Sequence, residues 1–376
     1  MIYLDNAATT GKKPISVIRA VEKALTNYSA NPGRSGHKPS EETAAAVYRA
    51  REKAARFFGA SGPENVAFTA NCTHSLNCVI KGVLGYGDHA IVSNLEHNSV
   101  MRPLYKIGIN FDSAEVSLTD DDATIRDFER KIRPNTKLII CTGASNVLGK
   151  MLPLKDIGLL ARERGILFAV DAAQIAGISE INMEQMYIDY LCVAPHKGLY
   201  APMGTGILIC EKPLKNTVLE GGTGTDSINP NQPDTMPEQI ESGTVNVPGI
   251  MGVAAGIDYV SSKGVNNIYR HEMQLCRLLY KGLEKNKNII LYTPYPEDGM
   301  YAPVISFNMK GVKSDELARI LDRSGIYVRA GLHCAPTAHR LMGTLETGAV
   351  RVCPSAFTSP QEIFYLLRVL KSIKSV

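Results

Sequence analysis

Short apolar runs alternate with helical patterns along the first two thirds of this chain, from about residue 15 to residue 255. Such alternation is typical of an α/β fold with a mostly parallel sheet. The apolar runs predict strands at 65–69, 89–93, 137–141, 166–170, 190–193 and 206–210. The helical patterns predict helices at 14–28, 40–58, 75–84, 154–164 and 247–262.

The pattern changes after about residue 260. A long predicted helix at 266–286 comes first, and short apolar runs then alternate with two further helices. These elements are strands at 289–292, 304–308 and 326–328 and helices at 314–324 and 360–372. We therefore predict a large domain of residues 15–258 and a smaller α+β domain formed by residues 1–14 and 259–376.

Two charged residues stand at the ends of two predicted buried strands. Lys197 follows the apolar stretch 187–193, and Asp171 ends the apolar stretch 165–170. An unpaired buried ammonium is costly, so the two charges indicate one shared site at the carboxyl edge of the sheet. A desolvated lysine amine can form a Schiff base, and a carboxylate can keep a pyridinium nitrogen protonated. The residues therefore predict a pyridoxal phosphate (PLP) enzyme, with a structural ion pair as the alternative.

Other polar residues follow neighbouring strands. Cys72 and Thr73 open a helix whose N–H groups and hydroxyl can hold a phosphate, and a plain helix cap is the alternative. His97 can stack on a flat ring and relay protons, or it is an ordinary loop histidine. Asn146 can donate to the phenolic oxygen of PLP, or it belongs to a plain turn. The glycine-rich segment 220–227 supplies further donors or serves only turn geometry.

The eight cysteines show no C-x-x-C spacing, so the sequence predicts neither a metal site nor a disulfide framework. Cys334 differs from the predicted core cysteines because it lies in a loop-like segment beside His333, whose positive charge would lower the pKa of the thiol. It is the candidate nucleophile. Arg351 follows seventeen residues later, and its guanidinium matches an α-carboxylate, with a structural salt bridge as the alternative.

Composition and charge exclude several classes of protein. A hydrophobic content of 44% and a charged content of 21% are those of a folded globular protein. The net charge of +4, without a long basic block, does not favour a nucleic-acid partner. No apolar run reaches roughly 18 residues, so no membrane span is expected. These features predict a cytoplasmic enzyme.

The motifs in their order resemble the cysteine desulfurase family of PLP-dependent enzymes with the class V aminotransferase fold. The short loop around Cys334 is similar to the compact-loop branch, which includes the SUF-type desulfurases and the selenocysteine lyases. The resemblance implies fold type I, with a large PLP-binding domain and a smaller C-terminal domain. It is carried by segments 3–8, 31–37, 96–97, 145–146, 170–174, 196–197, 241–244, 329–336 and 350–351.

The resemblance also implies a role for each matching residue. Lys197 would be the Schiff-base lysine and Cys334 the sulfur acceptor, with His97 also in the catalytic set. The remaining roles are the pyridinium partner Asp171, the ring-oxygen contacts Gln174 and Asn146, the phosphate contacts Cys72, Thr73, His196 and, toward a neighbouring subunit, Thr225, and the substrate contacts Arg351, Asn146 and His37. The resemblance therefore implies a homodimer.

The implied reaction converts L-cysteine to L-alanine and leaves the sulfur on Cys334 as a persulfide for an acceptor protein. A selenocysteine lyase is the nearest alternative, followed by a class V aminotransferase and by a PLP-binding scaffold without activity. The chain departs from the family pattern at two positions. Ala194 stands where a phosphate-binding serine is common, and Cys72 replaces a small or hydroxyl residue.

Overall fold

The structure is a computed structural model, and it describes residues 1–33, 35–225 and 227–373. Arg34, in the resemblance segment 31–37, lies outside the described residues, as does Asp226 of the glycine-rich segment. In the described part the strands are β1 (Ile2–Tyr3), β2 (Val66–Thr69), β3 (His89–Ser93), β4 (Asn110–Ala114), β5 (Thr136–Thr142), β6 (Leu167–Asp171), β7 (Tyr190–Val193), β8 (Gly206–Cys210), β9 (Ile289–Leu291), β10 (Ile305–Met309), β11 (Ile326–Tyr327), β12 (Arg329–Gly331) and β13 (Ala349–Val352).

Helices separate most of these strands along the chain. They are α1 (Ile15–Asn27), α2 (Lys38–Phe58), α3 (Cys72–Val83), α4 (Asn98–Ile107), α5 (Asp121–Arg130), α6 (Leu154–Glu163), α7 (Val247–Lys263), α8 (Val265–Glu284), α9 (Ser314–Arg323), α10 (Pro336–Leu341) and α11 (Pro360–Ser372). Among the described residues no helix is long and apolar enough to cross a membrane.

A seven-stranded sheet forms the centre of the large domain, in the order β2-β8-β7-β6-β5-β3-β4. Only β8 runs antiparallel to its neighbours, and the other pairs are parallel. The middle residues of its inner strands are apolar and buried because both faces are covered. Ile139 and Val170 face one buried cluster, whereas Ile140 and Ala169 face the other. This explains the continuous apolar runs, which are typical of a sheet covered on both sides.

The C-terminal part of the chain forms a four-stranded antiparallel sheet in the order β12-β13-β10-β9. Helices α8, α9 and α11 cover it with a separate apolar cluster. The N-terminus joins this part, since β1 pairs with β11 and Leu4 lies in the same cluster. The mixed, mostly parallel sheet and the smaller α+β part agree with the predicted fold class. The domain boundaries at 14 and 258 stay predictions.

Two helix starts differ by more than one residue from those predicted. Helix α2 begins at Lys38 instead of residue 40, because the ring nitrogen Nδ1 of His37 accepts from the N–H of Ser40 at 3.3 Å. Helix α3 begins at Cys72 instead of residue 75, because Asn71 caps it by accepting from the N–H of His74 at 2.9 Å. The second shift places Cys72 itself in the first turn of a helix.

Candidate active site

Five predicted site residues follow strands that point the same way in the large sheet. Asp171 ends β6, and Cys72 comes three residues after β2. His97, Asn146 and Lys197 each come four residues after their strands, β3, β5 and β7. The carboxyl ends of parallel strands meet at one edge of a sheet, which is where α/β proteins bind ligands. The fold therefore brings these five residues to one rim.

The Asp171 carboxylate is buried, with 3% of the residue exposed. Its Oδ1 accepts from the N–H of Ala173 at 2.9 Å and from the thiol of Cys72 at 3.6 Å. Burial, reinforced by the Asp171 charge, raises the pKa of the Cys72 thiol well above its usual range, so this thiol stays protonated and donates. Among the described residues Oδ2 accepts no hydrogen bond. One oxygen is thus fixed and the other is left for a ligand.

The charge of Asp171 acts on the amine of Lys197, although within the described part of the chain the two side chains form no salt bridge. Burial lowers the pKa of Lys197, and the charge of Asp171 opposes that shift by favouring the ammonium. A lysine with a lowered pKa is a better nucleophile at neutral pH because more of it is unprotonated. The electrostatics are therefore those of an amine poised to react with a carbonyl group, more than those of a saturated structural ion pair.

The peptide before Lys197 is held by the N-terminal segment. The carbonyl oxygen of His196 accepts from Thr9 Oγ1 at 3.1 Å, from Thr10 N–H at 3.1 Å, from Thr10 Oγ1 at 3.0 Å and from Lys13 Nζ at 3.1 Å. The imidazole of His196 differs, since its buried Nδ1 has no partner among the described residues. Burial lowers the pKa of this ring to about 4, so it is neutral at pH 7. Sequence reasoning missed Lys13, whose half-buried position has no clear signal in the pattern.

His97 begins helix α4 as its cap. Its Nδ1 accepts from the backbone N–H of Ser99 at 3.1 Å, so the proton of the neutral ring is on Nε2. Burial lowers the pKa of His97, with Asp171 opposing and Lys197 reinforcing the shift. Asp171 and Lys197 therefore both act electrostatically on the ring of His97. This agrees with a position at the rim but does not assign the ring a role.

Cys334 lies on a tight turn between β12 and α10. The N–H of Ala335 donates to the carbonyl of Leu332 at 2.9 Å, and both central residues, His333 and Cys334, have positive φ angles of 50° and 56°. Each such non-glycine residue costs about 1–2 kcal/mol. The carbonyl of Cys334 accepts from the N–H of Asn98 at 2.7 Å, which ties the turn to the start of α4.

Exposure separates this cysteine from the others. Cys334 is exposed, whereas the other seven cysteines are buried. The expectation that His333 is a cation beside the thiol is wrong. His333 is 2% exposed, and burial together with the neighbouring Arg351 lowers its pKa to about 2. A neutral imidazole cannot stabilise a thiolate by charge.

Arg351 lies on β13 and is 1% exposed. Its Nη2 pairs with the Asp5 carboxylate at 2.6 Å, and its Nη1 donates to the carbonyl of Asn146 at 3.0 Å. The side chain of Asn146 in turn donates to the carbonyl of His333 at 2.8 Å. The Nε of Arg351 has no partner among the described residues, so Asp5 does not saturate the guanidinium. The structural ion pair foreseen as an alternative is present, and a donor remains.

The remaining predicted residues lie in different surroundings. Gln174 is half-buried and donates to the carbonyl of Ala7 at 3.0 Å, and Thr73 is exposed in the first turn of α3. Thr225 contacts Thr223 and lines a pocket of about 340 Å³ against α2. Among the described residues, neither Thr225 nor His37 has a hydrogen bond to Lys197 or Asp171. The pocket that Thr225 lines contains none of the five rim residues, and His37 is exposed at the start of α2.

The comparisons with known proteins match almost the whole chain. The model of the aminotransferase class-V family matches residues 2–366. The chain belongs to this family. Its class-V relatives include a probable cysteine desulfurase of Methanothermobacter thermautotrophicus, which is 32% identical, with 99% of this chain and 94% of the relative covered. A cysteine desulfurase of Haloferax volcanii is 31% identical, with 91% and 83% covered.

Solved structures give the same result for this class-V protein. The apo structure of a cysteine desulfurase from Thermococcus onnurineus superposes with a TM-score of 0.86 at 31% identity, covering 98% of this chain and 94% of that chain. The resemblance and the fold class expected from the sequence are confirmed. The class-V protein is a PLP-dependent enzyme.

The residues of this class-V protein fit PLP. The unpartnered, buried Nδ1 of His196 and the open first turn of α3 can satisfy a phosphate, since a helix N-terminus favours an anion. The free Oδ2 of Asp171 suits a pyridine nitrogen, and Lys197 offers the amine. Ala194, buried in the turn before His196, offers no hydroxyl to the phosphate.

Proposed function

We propose that this chain is a PLP-dependent cysteine desulfurase that converts L-cysteine to L-alanine and transfers the sulfur to Cys334. The observation that carries the proposal is the position of Cys334. Cys334 is exposed, whereas the other seven cysteines are buried. Its turn is held by hydrogen bonds to Asn98 and Asn146, beside the rim that includes Lys197. The relatives named cysteine desulfurase support it.

The cofactor would be held by the residues of the rim. When bound, PLP supplies an electron sink for bonds at the α-carbon of an amino acid. Lys197 would hold it covalently and Asp171 would face its ring nitrogen. The other contacts that we propose are His97 on the ring face, Gln174 and Asn146 at the ring oxygen, and Cys72, Thr73 and His196 at the phosphate.

The substrate would be oriented by Arg351. Its guanidinium has a free Nε and a second proton on each terminal nitrogen, and Asn146 lies against it. A substrate carboxylate at this position would accept hydrogen bonds from the N–H groups of Arg351 that have no partner, which favours binding of an α-amino acid. His37 would contribute only if an adjacent subunit or a movement of α2 brought it to the rim.

The proton and sulfur movements fall to two residues. The Nζ of Lys197 would accept the α-proton of the bound cysteine. The Cys334 thiolate attacks the substrate sulfur, so that an S–S bond forms as the Cβ–S bond breaks. Cβ gains the proton released by the Cys334 thiol, and Cα regains its proton from Lys197 to give alanine. Cysteine plus enzyme thiol thus yields alanine plus enzyme persulfide, and no external oxidant or reductant is required.

The test compares Cys334→Ala with the matched control Cys276→Ala, which removes a buried thiol from the small-domain cluster. The PLP-loaded proteins are incubated with L-cysteine, and alanine is measured together with the mass of the peptide that contains Cys334. We expect alanine and a one-sulfur mass gain in wild type and control, and loss of both in Cys334→Ala. Wild-type rates of alanine formation in Cys334→Ala would refute the acceptor role. Turnover of selenocysteine by the same variant would instead favour a selenocysteine lyase.

We also propose a homodimer in which Thr225 reaches the phosphate of the neighbouring subunit. Thr225 is exposed, and the pocket that it lines contains none of the five rim residues, which supports a contact outside its own chain. Thr225→Ala should weaken PLP binding without changing the molar mass of the dimer in light scattering, and a monomeric wild type would refute the arrangement. The persulfide would pass to an acceptor protein. The eight free thiols support a cytoplasmic location, where thiols stay reduced.

A further inference from the structure

The turn that carries Cys334 holds two adjacent non-glycine residues in the left-handed backbone region. Side chains disfavour that region, so the conformation persists only where surrounding contacts fix it. If those contacts were lost, His333 and Cys334 would relax to negative φ and the thiol would change direction. The contacts of the turn therefore decide where the sulfur acceptor points.

Three hydrogen bonds outside the turn hold it. Asn146 Nδ2 donates to the carbonyl of His333 at 2.8 Å, and the N–H of Asn98 donates to the carbonyl of Cys334 at 2.7 Å. The third joins the imidazole Nε2 of His333 to the carbonyl of Ala349 on β13 at 3.0 Å. The first comes from the loop after β5, the second from the start of α4 and the third from β13 of the small sheet, so the turn is fixed on two sides.

The chemistry of the third bond defines the state of the ring. A carbonyl only accepts, so Nε2 carries the proton and Nδ1 does not. The ring is buried at 2% exposure, and its low pKa keeps it neutral over the working range of an enzyme. It lies away from solvent and carries no charge, which leaves neither a proton-transfer role nor a role in stabilising the thiolate.

We propose that His333 is the positioning residue of Cys334: its neutral imidazole, anchored on Ala349, holds the turn in the left-handed conformation that directs the thiol to the substrate sulfur. The inference rests on the proposed function, because it concerns the sulfur-accepting step. It assigns His333 an action through the backbone of Cys334, and no contact with substrate or cofactor.

Two substitutions separate the hydrogen bond from the backbone preference. His333→Asn suits a left-handed residue but is too short to reach Ala349. His333→Gln is less suited to that backbone, but its amide can place a donor where Nε2 lies. A histidine that only fills space would be replaced about equally well or equally badly by both.

The first readout is hydrogen exchange in the PLP-loaded protein without substrate, followed in the peptides that contain Asn98 and Ala335. We expect exchange at these amides to rise about tenfold in His333→Asn and to stay near wild type in His333→Gln. The second readout is the persulfide formed with L-cysteine. We expect kcat to fall about ten- to a hundredfold in His333→Asn with KM unchanged, and to return to within about threefold of wild type in His333→Gln.

Two results would overturn the inference: wild-type exchange and kcat in His333→Asn, or a loss in His333→Gln as large as in His333→Asn. If His333→Asn does not fold, His333→Gln decides alone, since it must keep the persulfide rate. The exchange measurement needs no turnover. A wild type that forms no persulfide would therefore refute the proposed function, while the exchange data would still decide whether His333 holds the turn.

Discussion

Glu96 provides a direct test of the electrostatics at the rim. It precedes His97, is fully buried, and uses Oε1 to accept from the N–H groups of Ser93 at 3.3 Å and Thr142 at 2.9 Å. Its Oε2 has no partner among the described residues. Burial raises the pKa of Glu96 from 4.5 to about 8, more than its hydrogen bonds lower it. The folded protein therefore holds Glu96 protonated at neutral pH.

Glu96→Gln keeps the shape and the accepting oxygen and removes the titration. Below the pKa that Glu96 has in the unfolded chain, its carboxyl is protonated in both the folded and the unfolded protein, so it does not lower the free energy of unfolding. As the pH rises toward about 8, unfolding releases a proton, so wild type loses stability by up to about 1.4 kcal/mol per pH unit. From about pH 5 to about pH 8 this amounts to roughly 3–4 kcal/mol. In Glu96→Gln the unpaired amide changes the free energy of unfolding by an amount that does not depend on pH.

The assay is urea unfolding of both proteins across this pH range, with Glu163→Gln, an exposed residue at the end of α6, as the matched control. The free energy of unfolding of wild type minus that of Glu96→Gln should fall by roughly 3–4 kcal/mol between about pH 5 and about pH 8. The control should show no such trend. A flat difference for Glu96→Gln would mean that the carboxyl is ionised in the fold, and the reasoning about burial at this rim would be wrong.

Two further predictions concern the cofactor. Asp171→Asn removes the charge that raises the pKa of Lys197, so the pKa of Lys197 should fall further. Schiff-base formation with added PLP, followed by absorbance, should then have a pH profile that is moved to lower pH. A profile that is unchanged or moved to higher pH would contradict the assignment. Cys72→Ala removes the thiol donor at 3.6 Å from Asp171 and should weaken PLP binding about three- to tenfold in a titration. Cys72→Ser keeps a donor and should bind PLP nearly as tightly as wild type. An equal loss of affinity in both variants would show that packing alone matters at Cys72.

Six of the seven strands of the large sheet were predictable because they depend on local pattern, whereas the edge strand β4 was not predicted. Strands β7 and β8 have the predicted bounds, since both are buried on both faces and have only apolar residues inside. Helix α4 was not predicted, because Pro103 lies inside it and a histidine caps it. The placement of Lys197 and Asp171 at one edge followed from the parallel order of their strands.

The contacts around Cys334 and Arg351 were not predictable in the same way. Arg351 pairs with Asp5 across 346 positions of the chain, and the turn is tied by the backbone of Asn98, which has no side-chain signature. The charge of His333 was predicted wrongly, because burial decides it and sequence proximity to Cys334 does not. Long-range packing thus determines the ion pairs and charges of these residues, whereas local motifs predict only their positions along the chain.

The most direct test of the central claim is the first turnover of the PLP-loaded protein with L-cysteine, without reductant or acceptor. Alanine and the persulfide on the Cys334 peptide are measured in the same quenched samples. If Cys334 accepts the sulfur, alanine should appear in a burst equal to the amount of persulfide and then stop. Alanine that continues to form at the initial rate while the Cys334 peptide gains no mass would contradict the account.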